Sequence, residues 1–160
     1  MKKILALLLV VGLGCVAQTA APAKSAAAGD DISGMYSFQQ EGEFVQINVE
    51  EGSRVTGFIS RYGDSSGDKG AFLDHTFKDG ELKGNHIRFT TRTVHGVYFE
   101  FEGRVERGDV KDAAAEGYRV LRGKLTQYTE DENKKMTAKS REVALKSFPQ
   151  DAMVDHPVKN

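Results

Sequence analysis

Few residues in this 160-residue chain have the types and spacing that chemistry needs. The histidines are His75, His86, His95 and His156, and none sit at a zinc-ligand spacing on one face of an element. There is no G-x-S-x-G, H-E-x-x-H, C-x-x-C, P-loop or dinucleotide-binding run. Asp74 and His75 are adjacent, but neighbours in an extended strand point to opposite faces, so they make no acid–base dyad by themselves. The pattern therefore assigns no catalytic residue, no metal and no cofactor, and the expectation is a protein that is not an enzyme. A better candidate is a set of polar residues interleaved with apolar ones. His75 alternates with Leu73 and Phe77, Arg61 with Ile59, and Arg141 with Val143 and Leu145, with Lys139 continuing that row. If these faces point inward, cations line one end of an apolar cavity to which Phe99 and Phe101 contribute. Such a cavity suits a small apolar or amphipathic ligand, its anionic head held by an arginine that can fork onto a carboxylate. The competing reading, favoured by the position of these residues near strand ends, leaves the charges solvated at a rim.

The elements that would carry these residues are extended. From Phe77 to Val105, Ile87 and Phe89 fall on one face and His86, Arg88 and Thr90 on the other. Val97, Phe99 and Phe101 then oppose Tyr98, Glu100 and Glu102. A period of two marks half-buried antiparallel strands. Asp79-Gly80 and Gly84-Asn85 read as turn pairs, because both tolerate positive φ. No proline occurs between Lys24 and Phe148, which suits a continuous sheet, and glycines punctuate it instead. Strands are expected near 33–39, 43–50, 54–62, 71–77, 81–91, 95–105, 117–128 and 135–147, the fifth open to interruption at Gly84-Asn85. The segment 109–117 has a helical signature no longer than a turn or two. Eight strands in sequence order, joined by short connections and each with one apolar face, resolve most simply as a sheet that curls and closes. The fold class is all-β, an eight-stranded antiparallel up-and-down meander barrel. Gly57 and Gly123 fall on its inner face, where they could let the sheet bend or a ligand approach.

Outside the barrel the chain has three further parts. Met1-Lys2-Lys3 followed by the apolar run Ile4–Gly14 reads as an export signal, too short to span a bilayer. It either ends at Cys15, where Gly12-Leu13-Gly14-Cys15 resembles a bacterial lipobox, or at a small-residue site such as Ala21-Pro22-Ala23. Cys15 is the sole cysteine, and lipidation would explain a lone thiol in an exported chain. Residues 16–31 are low in complexity and read as a flexible linker, residues 32–148 as the β-barrel domain, and residues 149–160 as a C-terminal tail. The expected location is the periplasm or, through the N-terminal anchor alone, a bacterial membrane. Without Lys2 and Lys3 the chain has 20 basic against 23 acidic residues and no basic stripe, which argues against nucleic acid.

Several runs carry a resemblance. Ile32-Ser33-Gly34-Met35-Tyr36 resembles the opening G-x-W strand of lipocalin- and avidin-type barrels, with tyrosine for tryptophan. Val55-Thr56-Gly57-Phe58 is similar to the T-G-x-aromatic third strand of avidins. The run Asp79-Gly80-Glu81-Leu82-Lys83-Gly84-Asn85-His86-Ile87-Arg88-Phe89-Thr90 resembles a D-G-x-x-x-G-[ND]-x-I-x-F-T pattern in lipocalin-like domains of exported bacterial proteins. The resemblance implies an architecture and little chemistry. It does not carry biotin binding over, since avidin sites depend on tryptophans and this chain has none.

Three function classes follow. The first is a non-catalytic barrel binding a small apolar or amphipathic ligand through Arg61, His75, Arg141, Phe99 and Phe101. The second is a protein-binding barrel, such as an inhibitor of a secreted hydrolase, using the loop 63–70. The third, an enzyme, has no constellation to support it. An interior cavity would favour the first class, and a filled barrel with an ordered, protruding loop the second. A buried acid–base pair in a cleft would revive the third.

Overall fold

The computed structural model describes residues 32–149. The signal at 1–15 with Cys15, the linker at 16–31 and the tail beyond Pro149 lie outside the described residues. Eight strands follow one another: β1 (Gly34–Ser37), β2 (Phe44–Val49), β3 (Val55–Tyr62), β4 (Phe72–Lys83), β5 (His86–Thr91), β6 (Val97–Arg107), β7 (Arg119–Glu130) and β8 (Met136–Lys146). They form one sheet in sequence order, every neighbouring pair antiparallel. The sheet curls until its ends meet. Tyr36 bridges Ser147, and the Phe148 N–H donates to the Met35 carbonyl at 2.8 Å. The up-and-down barrel read from the alternation is the architecture observed.

The apolar face of each strand is inside. Val45, Ile47, Ile59, Phe99, Leu121 and Leu125 are fully buried. A run of aromatic rings fills the middle, with Phe77 stacked on Phe89 at 4.3 Å and Phe89 on Phe101 at 5.2 Å between centroids. Each such ring removes a large apolar area from water and adds roughly 0.5–1.5 kcal/mol through its pairing geometry. Side chains fill the interior, as they do in barrels of about eight strands. On the outer face, register places Arg88 beside Glu102 and Glu102 beside Lys124, so charges alternate across three strands. Arg88 points outward and forks onto Glu81 at 2.7 and 3.0 Å, in preference to its cross-strand neighbour Glu102.

Close backbone approach explains where glycine stands. Gly103 and Gly123 face each other across β6 and β7, and a Cβ on Gly123 would overlap the Glu102 carbonyl and the Gly103 Cα. Gly57 has φ 148°, and a Cβ on it would overlap the Gln46 carbonyl oxygen. Only glycine meets both demands.

Two local expectations are corrected. Asp79-Gly80 is not a turn: β4 runs through it to Lys83, and the register with β5 slips between Phe77 and Asp79 as a β-bulge. The bulge re-aims β4, and Gly80 admits the Val55 backbone, which a Cβ would block. The hairpin turn sits at Gly84-Asn85 alone. Residues 109–117 form successive turns rather than a helix, and the Asp112 carboxylate accepts the Ala114 N–H at 3.0 Å. An aspartate side chain that bonds its neighbouring backbone offers that backbone an alternative to helix bonds.

Candidate functional site

In an even-stranded meander, the β1–β2, β3–β4, β5–β6 and β7–β8 connections gather at one end. The candidate polar residues are at that end. Arg61 is the last inward residue of β3 and is 5 % exposed, and His75, its neighbour on the inner face of β4, is 0 % exposed. The Arg61 Nε–H donates to His75 Nε2 at 3.3 Å. The guanidinium also lies over the Phe99 ring at 5.5 Å, and the His75 ring meets Phe99 edge-on at 5.2 Å. Phe38, from the end of the β1 segment, closes on the other edge of Phe99 at 5.5 Å.

An arginine keeps its proton, so the acceptor nitrogen of His75 must be bare and its proton must lie on Nδ1. Among the described residues no group meets Nδ1 in hydrogen-bonding geometry, although the Arg92 and Val97 carbonyls lie close enough to the ring to favour protonation. Burial, followed by the Arg61 charge, outweighs them and lowers the imidazole to about 4. His75 is therefore neutral at physiological pH, sealed from solvent and next to a cation. That arrangement offers no accessible proton acceptor, so the shifted histidine does not constitute an acid–base pair in a cleft.

The charge of Arg61 is met from outside the core. Its Nη1 donates to the Asp64 carboxylate at 2.6 Å and to the Tyr62 carbonyl at 3.0 Å. Asp64 belongs to the loop 63–70 and is 59 % exposed at its side chain, against 6 % for Arg61. The loop is ordered by its own bonds. The Gly63 N–H reaches the Ala71 carbonyl at 3.0 Å, and the Ser65 hydroxyl donates to Asp68 at 2.6 Å. Asp68 also meets His95 Nδ1 at 2.8 Å. The Ser65 and His95 bonds hold the Asp68 carboxyl below the usual carboxylate range. His95 occupies the left-handed region, φ 47°, in the two-residue turn between β5 and β6.

The remaining sequence candidates are placed as follows. Phe99 joins the Arg61–His75 pair. Phe101 lies further along the interior, stacked on Phe89. Arg141 is exposed on β8 and does not join them: its Nη2 donates to Gln39 Oε1 at 2.6 Å. The Nε2 of Gln39 is buried without a partner among the described residues. Glu43 was not singled out in the sequence, yet it is 3 % exposed and accepts the Tyr62 and Gln40 N–H groups at 3.0 and 3.1 Å. Its parity with Val45 and Ile47 is the signal that could have found it. A polar groove of about 760 Å³ lies elsewhere, between residues 52–56 and the strands β4 to β7, and shares no residue with this cluster. The Arg61–His75 pair is the candidate site, because a buried charge constrains its surroundings far more than solvated ones do. Among the described residues no group of three or more His, Cys, Asp or Glu side chains converges as a metal site.

No family model and no curated protein matches the sequence. Solved structures match the fold. Rhizavidin superposes with a TM-score of 0.55 at 12 % identity, over 79 % of this chain and 88 % of its own. A rhizavidin–biotin complex gives 0.53 at 12 %, over 72 % and 98 %. Apo short afifavidin gives 0.52 at 14 %, over 72 % and 95 %. Likeness at such low identity is likeness of architecture, and the described residues form an avidin-like β-barrel.

Proposed function

We propose that the protein is a non-catalytic binding barrel that takes a small amphipathic ligand by its anionic head at the mouth formed by the loops 38–43, 63–71 and 92–96. One observation carries this reading: a guanidinium buried among aromatic rings whose carboxylate partner, Asp64, comes from an exposed loop. A cation so placed is costly unless an anion faces it, and it is preorganised to bind a carboxylate from solution. The avidin-like architecture supports a small-ligand role, and the rhizavidin complex shows a barrel of this shape holding biotin. Biotin itself is not assigned here, because the aromatic lining lacks tryptophan. The fully buried Phe99 and Phe101 inside the barrel support a head-group subsite at the mouth rather than deep in the interior. Export and anchoring through an acylated Cys15 belong to the same proposal, supported by the Met1–Cys15 sequence pattern. Native mass spectrometry of the protein purified from its own host tests the binding role, with a retained carboxylic acid of a few hundred daltons expected. Its absence, together with no binding of added monocarboxylates, would refute it. A Cys15→Ser variant should leave the membrane fraction. Wild type that is soluble, with a mature N-terminus beyond Ala17, would remove the anchor from the proposal.

A second reading, a protein-binding barrel, is favoured by a different feature. Tyr62 and Phe72, flanking the loop 63–70, pack with ring centroids 4.4 Å apart at a 35° tilt, and Phe72 is 50 % exposed. Exposed aromatics beside an ordered loop are the composition of interface anchors. A Phe72→Ser variant that loses a partner bound by wild type, while still binding monocarboxylates, would support this reading alongside the first.

A further inference from the structure

The contact between Arg61 and Asp64 is asymmetric. The arginine is fixed on three sides, by His75, by the Phe99 face and by the Tyr62 carbonyl. The aspartate is fixed on one side only and is more than half exposed. The loop around it does not depend on this contact. Its neck is closed by the bond from Gly63 to Ala71, and its tip by Ser65–Asp68 and Asp68–His95. Asp64 lies between neck and tip. Rotation of its side chain into water would uncover Arg61 Nη1 without breaking the rest of the loop. A carboxylate arriving from solution would then find the guanidinium already oriented.

We propose that Asp64 is a built-in competitor: it fills the carboxylate subsite of Arg61 in the empty protein, and a free monocarboxylate binds by displacing it. The proposal rests on the mouth being the ligand site, as set out above, and adds how that site is regulated. It accounts for a packed structure with a binding role, since the closed form carries its own anion. No bond is made or broken. One carboxylate replaces another on the same donor, and Asp64 is hydrated on leaving. The apolar remainder of the ligand packs at the rim beside Phe38, while Phe99 stays buried beneath the guanidinium. Apparent affinity is reduced by the fraction of molecules in which Asp64 occupies the site, so removing the competitor raises it.

The experiment is calorimetric titration with octanoate, with octanamide as its neutral counterpart. It compares wild type, Asp64→Ala and Asp74→Asn. Asp74 is an exposed carboxylate near the same end that makes no contact with Arg61, and its substitution removes the same charge. Asp64→Ala is expected to bind octanoate roughly tenfold more tightly than wild type, equivalent to about 1.4 kcal/mol, with octanamide affinity unchanged. Asp74→Asn is expected to stay within about twofold of wild type. Equal octanoate affinity in wild type and Asp64→Ala overturns the competitor while leaving the mouth as a ligand site. Equal tightening by both substitutions also overturns it, since a general charge effect then suffices. No octanoate binding by any of the three proteins removes the ligand site itself, and the competitor with it.

Discussion

His75 should make the barrel acid-sensitive in a defined window. The imidazole is fully buried, and its affinity for a proton falls from an ordinary 6.5 to about 4 in the folded state. The cause is burial first and the Arg61 charge second, with Asp74 and two carbonyls opposing them. Above pH 6.5 both folded and unfolded chains carry a neutral ring, and nothing is lost. As pH falls from 6.5, the unfolded chain takes up a proton that the folded chain refuses, so stability declines by up to about 1.4 kcal/mol per pH unit. Below about 4 both states are protonated and the loss levels off. The gap corresponds to about 3 kcal/mol, a large part of the stability of a small domain. His75→Gln retains an acceptor for the Arg61 Nε–H and does not titrate. Urea denaturation of both proteins, from about pH 7.5 to about pH 4, separates this group from every other carboxylate and histidine, which the two share. Wild type should lose about 3 kcal/mol more than the variant across that range. Parallel pH profiles would refute the assignment of a buried, neutral His75.

Two further outcomes follow from packing. Gly123→Val should lower stability by about 1–3 kcal/mol or more, read as a fall in thermal midpoint, because the added carbons meet the Glu102 carbonyl and the Gly103 backbone. A variant that melts with wild type would show that the sheet is not pinched there. Glu43→Ala strands the Gln40 and Tyr62 amides and should cost about 1–3 kcal/mol in denaturant unfolding. Faster hydrogen exchange at those two amides would localise the loss, and unchanged exchange would contradict it.

The alternation of Ile87 with Phe89, and of Val97 with Phe99 and Phe101, was enough to read both the faces and the meander, because a period of two leaves no second assignment for an antiparallel strand. The same parity placed Arg61 and His75 on the inner wall, where they meet. It failed for Arg141, which shares parity with the buried Leu145 but is exposed. The reason is a length mismatch that no single strand reveals: β1 has four residues and bridges β8 only at Ser147, so the earlier part of β8, paired with β7 on one side, has no strand on its other side. Asp79-Gly80 failed because the same dipeptide serves a turn and a bulge. The approach of Val55, distant in sequence, decides between them. The Asp64 contact was not legible either, since a loop carboxylate three residues from an arginine is ordinary until burial shows that the arginine has few other partners.

The even number of strands has a consequence for orientation. β1 starts and β8 ends on the side of the barrel opposite the loop 63–70, so Ile32 and Phe148 leave the domain together, away from Arg61. Attachment at Ile32 or Phe148 therefore meets the barrel at the end away from Arg61, leaving the loops 38–43, 63–71 and 92–96 at the far end clear of the junction.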